Sequence, residues 1–294
     1  MPKGWDSRSL GTRFQHGIFY AVIGLFGKRA AHGLLRLVVF WFVACSPSVR
    51  SKAGHYLRRR FPGRGRWGRI RDTYRLCLAF GRVLVDRAAL GILGRGAPAC
   101  DLEGRARLKE LLAEGRGLIL LTAHVGGWQY AMASLTTLEA PVSLLMHRDA
   151  GDVDKQFFEH RAGAPPFTVL DPGGYLGATL PMLQVLEEGG VLCIMGDRGT
   201  GPGTVATEFL GAPVALPYSP YKLASATGAP IAVIFPSESK GRSMLRLARV
   251  IRVPAGLGRK PAAYLPYARE FGEALERFVE EHPYQFFNFY NMWG

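Results

Sequence analysis

The sequence predicts an α/β fold: a mostly parallel central sheet flanked by helices, preceded by an N-terminal region of apolar and basic helices. Three observations carry this. Beyond residue 76, the almost wholly apolar runs "GLILLTA" (117–123), "GVLCIMG" (190–196) and "PIAVIF" (230–235) alternate with helix-length segments, the pattern of strands linked by helical crossovers. Residues 1–75 hold 16 Lys or Arg against only Asp6 and Asp72, whereas residues 76–294 carry 21 charges of each sign. Two apolar stretches interrupt that basic quarter, at 17–27 and 33–45. The expected division is therefore 1–75 for the basic helical region and 76–294 for the α/β domain.

The N-terminal region comes first. Its stretches "GIFYAVIGLFG" and "GLLRLVVFWFVAC", the second broken by Arg36, each fall short of the roughly 20 apolar residues that cross a bilayer as a straight helix. "RSKAGHYLRRRFPGRGRWGRIR" follows, with Tyr56, Phe61 and Trp67 among arginines. Nucleic acid would attract the arginines but leaves the preceding apolar segments unexplained, so none is expected as a partner. A membrane explains both, because apolar helices enter one leaflet while cations meet anionic headgroups at about 1 kcal/mol each. Burial of the same helices in a protein core is the alternative. Attachment is expected to be peripheral or monotopic, or by one short span, on the cytoplasmic face of a bacterial inner membrane. No cleaved signal peptide is expected.

The α/β domain should run in order as follows. A helix at 74–93 leads to a Gly/Pro junction at 94–98, an amphipathic helix at 106–116 and the strand 117–123. A helix at 127–138, a strand at 142–146, a polar helix near 152–160, the strand "FTVL" and a helix at 175–188 come next. Strand 190–196, helix 219–227, strand 230–235 and a last sheet segment at 243–253 complete the alternation. An amphipathic helix at 261–281 precedes the aromatic tail "HPYQFFNFYNMW". The 48 % hydrophobic and 20 % charged composition is that of a globular chain and excludes disorder. Cys45, Cys77, Cys100 and Cys193 are far apart and form no CxxC pair, so neither a zinc site nor a disulfide framework is indicated.

His124 stands where chemistry is expected. It falls just beyond "GLILLT", and open α/β sheets bind ligands beyond the carboxyl ends of their strands. Gly126 and Gly127 would let a substrate chain or backbone approach closely, and the helix expected after them offers N–H groups to an oxyanion or phosphate. A structural histidine at a strand end is the simpler alternative.

Five blocks in order extend the signal: "TAHVGGWQ", "MHR" (146–148), "GGVLCIMGDRG" (189–199), "VATEFLGAPVALP" (205–217) and "ASATGAPIAVIF" (224–235). Together they resemble the late acyltransferases of lipid A biosynthesis, the lauroyl and myristoyl transferases of the glycerolipid acyltransferase superfamily. The resemblance covers nearly the whole chain and implies an α/β acyltransferase. It would move a fatty acyl group from an acyl-carrier-protein or coenzyme A thioester to a hydroxyl or amine of a lipid acceptor, with no cofactor. His124 matches the histidine of the family's first block, where Gln129 takes the place of its Asp or Glu. Arg148 fits the arginine associated with substrate binding. Asp197 matches the aspartate of the family's "DQ" pair, Arg198 replaces its glutamine, and Pro230 matches the later apolar block.

The chemistry then assigns roles. A neutral His124 removes a proton from the acceptor as it attacks the thioester carbonyl, a task worth typically 10²- to 10⁴-fold. Its usual carboxylate partner is missing at Gln129, and three resolutions compete. Gln129 could orient the ring through its amide oxygen, another carboxylate such as Asp197, Asp152 or Asp154 could enter from a neighbouring loop, or catalysis could be lost, leaving an acyl-lipid or carrier-binding protein. Retention is favoured by the Gly-Gly-Trp, Arg148 and Asp197 signals. Arg148 either binds substrate or pairs with Asp149 or Asp152. Arg198 either meets a phosphate or bridges to Glu208, and Trp128 either packs on the sheet or lines an acyl channel. His147 and His160 have no third partner at metal-ligand spacing, so no metal is expected.

Overall fold

The computed structural model describes residues 13–93, 100–128, 134–146, 167–173, 178–199, 203–239 and 242–294. The N-terminal region folds into α1 (Arg13–Cys45), α2 (Pro47–Arg60) and α3 (Arg66–Leu93). Helix α1 is broken at Gly27, whose φ of 76° and ψ of 176° no helix accommodates. Its inner stripe, Ile23, Ala31, Leu35, Val39 and Val43, packs with Val85 and Ala89 of α3, the spacing of one helix face. Ser46 caps α2 by accepting from the Val49 N–H, with Pro47 opening the helix. Arg50 donates to the Val43 and Ala44 carbonyls at 2.5 and 2.7 Å and so satisfies the end of α1.

Seven strands form the central sheet: β1 (Cys100–Glu103), β2 (Leu118–Thr122), β3 (Val142–Leu145), β4 (Thr168–Leu170), β5 (Val191–Met195), β8 (Ile231–Ser239) and β9 (Arg242–Ile251). Their order is β1-β9-β8-β2-β5-β3-β4. Every neighbouring pair is parallel except β8–β9, which makes the sheet mostly parallel as expected. Strands β2 and β5 are buried on both faces, and this explains their unbroken apolar sequence. A separate antiparallel hairpin, β6 (Thr204–Phe209) and β7 (Ala212–Pro217), precedes the return to β8.

Helices α5 (Thr179–Glu187), α6 (Ser219–Thr227) and α7 (Leu265–Glu281) cover one face of the sheet, packing on Ile119, Leu121, Leu192, Ile194, Ile231, Val233 and Phe235. Ala53, Tyr56 and Leu57 of α2 and Leu76 and Val83 of α3 belong to this same core. The other face, with Leu118, Leu120, Val191, Cys193, Ala232 and Ile234, is covered by α4 (Arg105–Leu112), a 3-10 turn at Leu135–Leu138, and Trp128. Residue 75, where the charge asymmetry ends, lies inside α3.

Several boundaries differ from expectation for local reasons. Helix α4 stops at Leu112 instead of 116, because Gly115 and Gly117 both turn to positive φ. The helix expected at 261–281 begins as a 3-10 turn at Pro261–Tyr264 before α7. Of the helix expected at 127–138, residues 129–133 lie outside the described residues, and so do the junction 94–98 and the polar helix at 152–160.

Candidate active site

Strands β2 and β5 run side by side, with Thr122 opposite Met195. The Gly196 N–H donates to the Thr122 carbonyl at 2.8 Å and extends the pairing one step. Two residues past each strand, the chain therefore delivers His124 and Asp197 to the same level at the carboxyl ends. The His124 Nδ1 lies 2.9 and 3.1 Å from the two Asp197 oxygens. From β2 the chain leaves toward β3 across the Trp128 face, whereas from β5 it leaves toward β8 through α6 on the opposite face. The pair thus straddles a reversal of strand order, where open α/β sheets present a crevice.

The burial of the two partners differs: the Asp197 side chain is 2 % exposed and that of His124 25 %. Burial alone would push the Asp197 carboxyl up. The His124 ring and peptide N–H and the nearby Arg198 outweigh it and leave the carboxyl below its usual value. An ionised carboxylate only accepts, so Nδ1 carries the proton and the neutral ring has its lone pair on Nε2. That is the tautomer a general base requires.

Arg198 is nearly buried, and burial pulls its guanidinium down, opposed by Asp197 and Tyr290. Its Nε lies 4.0 Å from Asp197 Oδ2, its Nη2 donates to the Phe287 carbonyl at 3.4 Å, and its guanidinium sits 5.6 Å from the Tyr290 ring centre. Burial raises the Tyr290 hydroxyl to about 12. Arg198 is therefore built into the wall behind the Asp–His pair.

The segment 283–290, part of the aromatic tail, forms the other wall. Val125 and Phe286 form an antiparallel bridge, the Phe287 N–H donates to the His124 carbonyl at 2.8 Å, and the Gly126 N–H donates to the Gln285 carbonyl at 2.9 Å. Gly126 has φ +48°, and a Cβ there would stand 2.1 Å from the Pro236 carbonyl oxygen. The close approach its missing side chain permits is thus made by the backbone of β8. Gly127 is buried beside it, and Trp128 is 8 % exposed within the core of the Trp128 face, which matches the packing alternative for that residue.

Of the three resolutions for His124, the described geometry brings in Asp197. Gln129, Arg148, Asp149, Asp152 and Asp154 lie outside the described residues, as do His147 and His160. Sequence reasoning missed Gln285, Phe287 and Tyr290. Their aromatic-rich tail was legible, but nothing in its spacing names a strand pairing 160 residues upstream.

The family model described as "Bacterial lipid A biosynthesis acyltransferase" matches residues 10–294. The chain is 29 % identical over 144 residues to the phosphatidylinositol mannoside acyltransferase of Mycolicibacterium smegmatis, an alignment covering 47 % of this chain and 45 % of that protein. It is 30 % identical over 131 residues to the protein of the same name from Mycobacterium tuberculosis, covering 43 % and 40 %. The chain thus spans less than half the length of each relative.

Proposed function

The chain belongs to the bacterial lipid A biosynthesis acyltransferase family, and from that membership and its site we propose that it transfers a fatty acyl group from a thioester to a lipid acceptor. The donor is an acyl-carrier-protein or coenzyme A thioester. The acceptor is a hydroxyl or amine of a membrane glycolipid, lipid A-like or, as the relatives' names suggest, a mannosylated phosphoinositide. The observation that carries the reading is the 2.9 Å contact between His124 Nδ1 and a buried carboxylate at the switch point of the sheet.

In the proposed mechanism, His124 Nε2 takes the acceptor proton as the acceptor oxygen or nitrogen bonds to the thioester carbonyl carbon. The carbonyl becomes a tetrahedral oxyanion, which collapses with cleavage of the C–S bond, and the thiolate leaves with the proton from the imidazolium. Asp197 stays ionised throughout, holding the tautomer and stabilising the imidazolium. Arg198 helps keep it ionised, a role its burial against Asp197 and Tyr290 favours over direct phosphate binding. The reading in which catalysis has been lost rested on Gln129, and a carboxylate reaching the ring from β5 removes its main support.

The same reading places the chain on a membrane. Leu25, Phe26, Leu37, Phe40 and Trp41 of α1 are exposed and lie among Lys28, Arg29 and Arg36. Among the described residues no single helix is long and apolar enough to cross a bilayer, and α1 from His16 with α2, bent by 92°, meets the length and composition only as a pair. This favours helices lying in one leaflet.

The direct test incubates the protein in lipid vesicles with labelled acyl-coenzyme A and acyl-carrier-protein thioesters of several chain lengths, followed by lipid mass spectrometry. Label should enter one lipid class, and His124→Ala should reduce transfer by at least about 10²-fold while folding is retained. Full turnover in His124→Ala at saturating donor sinks the base assignment.

A further inference from the structure

Proton transfer needs the base held to within fractions of an ångström, and His124 stands on an irregular loop rather than on a strand. The chain immediately after its Cα is held by one segment: the Phe287 N–H donates to the carbonyl of His124 and the Gly126 N–H donates to the Gln285 carbonyl, bracketing Val125. That segment is fastened at three further points. The Gln285 side chain donates to the Glu238 carbonyl at 2.7 Å and accepts from the Glu238 N–H at 2.8 Å, which ties it to β8. Tyr284 donates to the buried Asp72 of α3 at 2.8 Å, and Asp72 also pairs with Arg64 at 3.2 Å. Tyr56 of α2 donates to the Pro283 carbonyl at 2.8 Å, and its ring meets that of Phe286 edge-on at 5.1 Å.

From this arrangement we infer that residues 283–287 are a strap that positions His124, with Tyr284 and Gln285 as positioning residues that govern turnover without touching substrate. The inference rests on the general-base reading of His124 and adds to it that the N-terminal helices help set the geometry of the base. Packing alone does not require Gln285: its amide N–H2 and its amide oxygen each bond the main chain of Glu238, a two-point match that no apolar side chain of that size reproduces. Nor does it require the Tyr284 hydroxyl, which meets a carboxylate 212 residues away in sequence.

Gln285→Ala and the milder Tyr284→Phe, made in the full chain in vesicles, test the strap. A misplaced base costs rate more than affinity, so kcat should fall by about 10- to 10²-fold with KM for the acyl thioester within about twofold. The low-field Nδ1 proton resonance of His124, assigned by its loss in His124→Ala, should shift or broaden in both variants, and far-ultraviolet circular dichroism should be unchanged. Wild-type kcat in both variants overturns the strap, as does a kcat loss with an unmoved resonance. If His124→Ala keeps full turnover, the base reading falls by itself, while a displaced resonance in the tail variants still upholds the positioning.

Discussion

At Asp197 burial and charge pull in opposite directions, and its partners win. The folded-state carboxyl is held below its ordinary 3.8, so its contribution to stability is fully present above that value and is lost as pH falls through the lowered one. Asp197→Asn should reduce kcat/KM by about 10² to 10⁴-fold, because the amide no longer enforces the tautomer or stabilises imidazolium. The acid limb of its pH–rate profile should also move to lower pH, and an unmoved limb would mean that Asp197 is not the electrostatic partner of the base. Gly126→Ala combines left-handed strain with a Cβ driven into the Pro236 carbonyl, and should cost about 2–4 kcal/mol of unfolding free energy in a denaturant titration. His124 was legible because an apolar run ended on it. Its partner was named only as one of several carboxylates, since Asp197 lies 73 residues away and the strand register that joins them is a tertiary fact.

The elements most legible in sequence were those whose residues are buried all round or along one stripe. Strands β2, β5 and β8 announced themselves as apolar runs, and α7 as a repeat of Ala268, Phe271, Leu275 and Phe278 on one face. The hairpin β6–β7 carries part of the family resemblance but does not stand out as strands in the sequence, although Val205, Thr207 and Phe209 alternate inward with Ala206 and Glu208 outward. Strand β1 was missed because only Leu102 of its four residues is buried. Helix α7 bears on the site: Phe271 is fully buried, its ring lies tilted against that of Phe235 at 6.2 Å, and it fills the space beside Gly196, one residue before Asp197. Phe271→Ala should therefore destabilise by about 3–5 kcal/mol, seen as a lower denaturant midpoint at unchanged slope.

For the whole molecule, the charge asymmetry that marks residues 1–75 is not a seam. Helices α2 and α3 enter the main core, and α1 covers α3, so deleting residues 1–48 would bare an apolar face of α3 as well as remove the proposed anchor. Substitutions on the outward face separate the two effects. Replacing Leu25, Phe26, Phe40 and Trp41 by Ser should shift the protein from vesicles to solution in a sedimentation assay with its unfolding midpoint little changed. Sedimentation as complete as that of the intact chain would place the membrane contact elsewhere. Charge reversal at Lys52, Arg58 and Arg66, all exposed, should weaken binding to anionic vesicles and reduce its salt dependence. Arg60 and Arg64 are poor choices for that experiment, since Arg60 donates to the Val279 and Glu280 carbonyls and Arg64 pairs with Asp72.

The bridge between Val125 and Phe286 also sets an order in time. The ribosome delivers the apolar and basic helices some 240 residues before the segment that grips His124, so under the proposed membrane contact targeting begins while the base is still unrestrained. A nascent chain stalled before residue 283 should already cosediment with vesicles yet transfer acyl groups at least about tenfold more slowly than the full chain. Synthesis would then bring the enzyme to its lipid surface before switching it on.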